Sequence, residues 1–210
     1  MLKSFSIFKS ILLLGLTLAL AACDSGGGSD GGSTGPQTVL VIGDSISGDY
    51  NYPGVPPWPT LMAGMVPEWT VINKAVGGAK MVDGRAKIGS LITQYNPDTV
   101  VIFYGSNNAI TSSTAFYESD LQSTIQTCKN AGVNKVLVCN VPYMYGSRSI
   151  YNGKVDIVNA GVTTASSAEG VAVVPVNQEF GMDSEDLFPD GLHPNLDGQN
   201  IIAMSVRERI

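Results

Sequence analysis

The sequence predicts an α/β fold: a doubly wound, five-stranded parallel sheet with helices on both faces. Three observations predict it. Five apolar runs rich in β-branched residues, at 39–42, 69–72, 99–104, 135–141 and 171–176, are near-continuous instead of alternating, which suits strands covered on both sides. Segments of helical periodicity lie between them, and strand–helix–strand repetition implies right-handed crossovers. Polar, glycine-bearing segments lie beyond the runs, at the edge where an open α/β sheet binds its ligands.

Along the chain, residues 1–22 read as a secretory signal, with Lys3 and Lys9 ahead of twelve apolar residues, 11–22. That stretch is too short to span a bilayer comfortably. It ends Leu20-Ala21-Ala22-Cys23, which resembles the box of bacterial lipoproteins. The resemblance implies lipidation at Cys23 and a membrane-anchored protein on the periplasmic side of the cell envelope. In the lipoprotein pattern an acid at position 24, here Asp24, is similar to an inner-membrane retention signal. Ordinary cleavage after Ala19-Leu20-Ala21, releasing a soluble protein, is the alternative. Residues 24–36, DSGGGSDGGSTGP, hold nothing to bury, so 23–36 form a flexible tether with a reach of about 20 Å. Residues 37–210 then form one domain.

Within that domain Ile88, Leu91, Ile92 and Tyr95 share one helical face, and Asn96-Pro97 ends the segment. Tyr117, Leu121, Ile125 and Cys128 form a second stripe, closed by Gly132. A weaker helix is predicted over 155–168, and a last one from Leu196 to the C-terminus. The formal charge of −6 becomes −8 once the two leader lysines are removed, and an acidic chain without a basic cluster argues against nucleic acid. Cys128 and Cys139 are read as buried free thiols, on a helix and on the next strand, although an oxidising compartment would permit a disulfide. The chain has one histidine and no Cys/His spacing for a metal.

That histidine bears on Ser45. Gly43-Asp44-Ser45 follows the first run, the 73–78 segment the second, Gly105-Ser106-Asn107-Asn108 the third, and Asp190-Gly191-Leu192-His193 lies beyond the fifth. Singly, each has a plain explanation as a cap, a turn or a loop. Together they are the parts acyl transfer needs. Ser45 is a hydroxyl in need of a base, and His193 is the only imidazole. Asp190, three residues earlier, is spaced to steady it. The N–H groups of Ser45 and Gly78 and the Asn107 amide are candidate donors to an oxyanion.

The blocks GDSIS at 43–47, NKAVGG at 73–78, NPDTVVIFYGSNN at 96–108 and DGLHPN at 190–195 resemble, in order, those of the SGNH hydrolases, or GDSL esterases/lipases. The resemblance implies a flavodoxin-like sheet of order 2-1-3-4-5. It also implies a Ser45, Asp190, His193 triad, with Ser45, Gly78 and Asn107 as oxyanion hole. The expected function is hydrolysis of carboxylic esters through an acyl-enzyme, without metal or cofactor. Asn108 stands where the family usually has Asp. Gly31-Gly32-Ser33-Thr34-Gly35 matches another hydrolase pattern, but it lies in the tether with no strand before it.

Two loops are candidates for specificity: 49–59 with Tyr50, Tyr52 and Trp58, and 142–151 with Tyr143, Tyr145 and Arg148. Their rings either line a substrate groove or pack the loops against the body. Expected partners are a small-molecule, glycan or lipid ester and, through the anchor, a membrane. Lysophospholipase or thioesterase action on longer chains, acyl transfer to another alcohol, and a non-catalytic envelope-binding module are the alternatives.

Overall fold

The runs of Val, Leu and Ile pair as expected. In the computed structural model, which describes residues 36–48, 54–181 and 184–210, five parallel strands lie in the order β2-β1-β3-β4-β5. They are β1 (Thr38–Gly43), β2 (Thr70–Asn73), β3 (Thr99–Phe103), β4 (Lys135–Cys139) and β5 (Ala172–Val174). The helices are α1 (Trp58–Met65), α2 (Met81–Tyr95), α3 (Ser106–Ile110), α4 (Tyr117–Asn130), α5 (Asn152–Glu169), α6 (Val176–Phe180) and α7 (Leu196–Arg207), with short 3-10 turns at Gly146–Tyr151 and Glu185–Leu187. The described residues all belong to one compact unit, Gly31–Ile210. Cys23, the proposed signal, Tyr50 and Tyr52 lie outside the described residues.

Alternate residues of each central strand feed two different cores, which is why no polar position interrupts the runs. Leu40, Ile42, Val100, Ile102, Val136 and Val138 pack beneath α2, α4 and α5. Val39, Val41, Val101, Phe103, Leu137 and Cys139 pack on the other face, with Trp58 and Met62 of α1 and Ile202, Ala203 and Val206 of α7. Cys128 belongs to the first core and Cys139 to the second, so the sheet separates them; both are buried free thiols. Burial pushes the Cys128 thiol up to about 12 and raises that of Cys139 as well.

Several boundaries differ from expectation. β4 stops at Cys139: the next N–H, that of Asn140, still bonds the Val174 carbonyl (3.1 Å), while its side chain gives Nδ2 to Gln178 (2.7 Å) and takes the Asn177 N–H (2.8 Å). The apolar run 171–176 is divided between β5 and the start of α6. Trp69 closes a turn with Val66 (2.9 Å) instead of opening β2. α1, unexpected in a proline-rich loop, begins Trp58-Pro59; proline is tolerated in the first helical turn, where its missing N–H is not needed. At the amino ends of the strands Pro36, Gln37, Asp98, Lys135 and Ile210 line a shallow hollow. There Thr38 N donates to Asp98 (2.8 Å) and Lys135 Nζ to the Ile210 carbonyl (2.6 Å).

Candidate active site

At the opposite rim, β1 ends on a glycine for steric reasons: a Cβ at Gly43 would lie 2.7 Å from the Phe103 carbonyl and 2.9 Å from Ser47 Oγ. The chain then folds over a buried carboxylate. Asp44, 1% exposed, accepts from Ile46 N (3.0 Å), while its own carbonyl takes Ser47 N (3.1 Å) and Gly48 N (3.0 Å). Burial pushes the Asp44 carboxyl from 3.8 up to about 7, against the downward pull of backbone N–H donors that include Ile46 and Gly105. This turn sets Ser45 at the end of β1. No acceptor among the described residues takes the Ser45 N–H.

Two helices brace the turn from below. The Trp58 indole donates to Ser47 Oγ (2.9 Å), Gln199 Oε1 of α7 accepts from Trp58 N (2.8 Å), and Gln199 Nε2 donates to the Ile46 carbonyl (3.3 Å). Trp58 is fully buried. Of the two roles open to the rings of the 49–59 loop, Trp58 takes the second: it packs inward as a support beneath Ser45.

The donors arrive from neighbouring strands. Asn73, at the end of β2, gives Nδ2 to the Ser47 carbonyl (2.6 Å) and takes Ala75 N (3.0 Å), and Val76 N bonds the Gly43 carbonyl (2.9 Å). The chain then turns at Gly78, whose φ of 78° suits glycine. Its N–H also meets no acceptor among the described residues. Asn107, in the first turn of α3, donates to the Ala79 carbonyl (3.1 Å) and so sits beside the Gly78 segment. Asn108 holds the same corner: Oδ1 takes Met81 N (3.1 Å) and Nδ2 gives to the Ser113 carbonyl (2.8 Å). The amide thus supplies a donor and an acceptor where a carboxylate would supply acceptors only.

His193 closes the arrangement. Its Nε2 lies 2.9 Å from Ser45 Oγ and its Nδ1 2.8 Å from Asp190 Oδ2. The other Asp190 oxygen takes the N–H groups of Leu192 (2.9 Å) and His193 (2.7 Å). Burial works to raise the Asp190 carboxyl, but these N–H donors and the imidazole outweigh it and hold the group below its ordinary value. A carboxylate at Nδ1 favours the tautomer with the proton on that nitrogen, leaving Nε2 to accept from the serine. The structure thus joins Ser45, His193 and Asp190 in one hydrogen-bonded chain and sets Asn107 beside the Gly78 segment.

The aromatic loop over 142–151 is bound up more tightly than a free substrate loop. Tyr143 hydroxyl donates to Asp156 (2.6 Å) and Tyr145 stacks on Phe188, with ring centroids 5.1 Å apart. Arg148 Nε donates to the Asp190 carbonyl (3.1 Å). The supporting roles of Asp44, Asn73, Ser47 and Gln199 escaped the sequence reading. Asp44 and Asn73 stand inside the quoted motifs, whereas nothing local marks Gln199, 141 residues from Trp58.

A serine, an imidazole and a carboxylate in one hydrogen-bonded chain, following a strand end whose Ser45 N–H meets no acceptor among the described residues, define the serine hydrolases of the acyl-transfer type. Residues 41–201 match the model of the GDSL-like Lipase/Acylhydrolase family, and the chain belongs to that family. An arylesterase from Vibrio mimicus is 29% identical over 185 residues, covering 85% of this chain and 90% of its own. Thioesterase 1/protease 1/lysophospholipase L1 from Escherichia coli (strain K12) is 28% identical over 171 residues, 80% of each chain. In fold, the crystal structure of a lipase/acylhydrolase from Enterococcus faecalis superposes with a TM-score of 0.72 at 22% identity, covering 83% of this chain and 95% of the other.

Proposed function

We propose that this protein is a serine esterase that cleaves carboxylic esters through an acyl-enzyme on Ser45, and that it works from a lipid anchor at Cys23 on the periplasmic side of a bacterial envelope. The observation that carries the catalytic reading is the chain Ser45 Oγ–His193 Nε2–Asp190, at 2.9 Å and 2.8 Å. His193 takes the Ser45 proton as the oxygen attacks the ester carbonyl. The carbonyl carbon becomes tetrahedral, and its oxyanion is met by the Ser45 and Gly78 N–H groups and the Asn107 amide. The imidazolium, steadied by Asp190, gives its proton to the departing alkoxide as the ester C–O bond breaks. Water then repeats the sequence on the acyl-enzyme and frees the acid and Ser45.

The experiment is a series of p-nitrophenyl esters from acetyl to long acyl chains, run on residues 24–210 with Ser45→Ala alongside. Ester turnover by the parent, with loss of both turnover and fluorophosphonate labelling in Ser45→Ala at unchanged Tm, is expected. Turnover retained by Ser45→Ala would refute the assignment. The names of the two relatives point to aryl esters and to thioesters or lysophospholipids; the p-nitrophenyl series ranks acyl length, and an alkyl ester and a thioester of the preferred acid rank the leaving group. The lipid anchor rests on the sequence at 20–23 alone. Incorporation of labelled palmitate by cells expressing the full chain, abolished by Cys23→Ala, is its test; an unlabelled, fully soluble product would refute it.

A further inference from the structure

We infer that residues 145–148 brace the Asp190–His193 turn from outside, with Arg148 a positioning residue for the triad; this rests on the esterase reading above. The turn carries a carboxylate and an imidazole whose relative placement depends on the backbone of Gly191, the residue that follows Asp190. Gly191 has a φ of 76°, a value glycine adopts freely and also leaves freely. Something must hold it. Two successive carbonyls, those of Asp190 and Gly191, flank its Cα, and both are taken by the same segment: Arg148 Nε donates to Asp190 O (3.1 Å) and Tyr145 N to Gly191 O (2.9 Å). Fixing the peptide plane on each side of one Cα fixes its φ and ψ.

The contact is close on both sides. A Cβ at residue 191 would fall 2.4 Å from the Tyr145 carbonyl and 3.7 Å from Arg148 Cδ, so only glycine admits the segment. The segment is itself anchored. Arg148 N bonds the Tyr145 carbonyl (3.1 Å), the Asn152 side chain bridges Met144 N (2.8 Å) and O (2.9 Å), and Tyr145 stacks on Phe188, whose carbonyl takes Gly191 N (2.7 Å). Among the described residues the Arg148 guanidinium forms no ion pair with a carboxylate; its Nε is committed to the backbone of the turn. A charge-assisted bond of this kind is stronger than a neutral one. The loop expected to select substrate therefore serves first to orient the acid–imidazole pair.

The test is Arg148→Ala and Arg148→Lys in the otherwise intact protein. Alanine should lower kcat for p-nitrophenyl acetate about ten- to a hundredfold, the loss expected for one hydrogen bond from a charged donor. KM should stay within about twofold, because the substrate is untouched. Lysine keeps a cationic donor, one bond further along the side chain than the arginine Nε, and should restore part of kcat. The far-downfield proton resonance of the His193 Nδ1–H···Asp190 bond should shift or broaden in the alanine variant and return in the lysine variant, with Tm lowered by no more than several degrees in either. Unchanged kcat and resonance in Arg148→Ala would overturn the inference. So would a raised KM at unchanged kcat, which would make Arg148 a substrate contact, or a lowered Tm with the resonance intact, which would make it merely structural. The resonance is read without substrate, so a parent protein that cleaves no ester would sink the esterase reading and leave the brace still testable.

Discussion

Asp44 places an acid where water does not reach, and this has a measurable consequence for stability. Its carboxyl is pushed from 3.8 up to about 7, chiefly by burial. Between those values the folded chain keeps a proton that the unfolded chain gives up. Stability from this group is therefore full below pH 3.8, declines as pH rises through about 7, and levels off above it. At 1.36 kcal/mol per unit, the difference between 3.8 and 7 amounts to about 4 kcal/mol. Asp44→Asn removes the titration. The Asn oxygen still accepts from Ile46 N, while its amide faces the Gly105 N–H, so the variant carries a penalty that does not vary with pH. The assay is urea unfolding of both proteins at pH 4, 5.5 and 8. The wild type should lose stability relative to the variant by a few kcal/mol from the first pH to the last. A difference that is flat across this range, or that grows in the wild type's favour with pH, would refute the reasoning.

Other perturbations test the frame around Ser45. Ser47→Ala leaves the buried Trp58 Nε1 without its acceptor and should cost about 1–3 kcal/mol in chemical denaturation. Gly105→Ala sets a Cβ 2.6 Å from side-chain carbons of Val141 and Val158 at a φ of 141°; the combined strain and overpacking should cost about 2–6 kcal/mol and show as a large fall in Tm. Asn108→Asp, which restores the residue usual in the family, keeps the bond from Met81 N but turns an oxygen toward the Ser113 carbonyl. Thermal melts should show a loss of about 1–3 kcal/mol near neutral pH. That loss should shrink toward acid, where a protonated carboxyl regains a donor.

What could be read in the sequence follows burial. β1 and β3 stand out because both of their faces are covered, so Val39 to Ile42 and Val100 to Phe103 admit no polar residue. β5, at the edge, blurs into α6 because Val174, Pro175 and Val176 continue one apolar run across two elements. α1 was concealed by Pro57 and Pro59, which read as loop until the helix start between them is recognised. The proposed triad was legible because strand order sends the relevant segments to one rim, whatever their separation along the chain. The supports were not. That Trp58 faces Ser47, or that Arg148 reaches the Asp190 carbonyl, depends on how separate segments meet, and no local pattern encodes such a meeting.

The polarity of β1 carries a further consequence. The chain enters it beside Pro36 and Ile210, which share one hollow, and leaves it at Ser45. Six residues of strand, about 20 Å, separate the two. A scaffold or bead attached to the domain at Pro36 or Ile210 would present the reactive face outward. In a domain trimmed to begin at Pro36, a short linker from Ile210 back to Pro36 would lie at the rim away from the hydroxyl and imidazole.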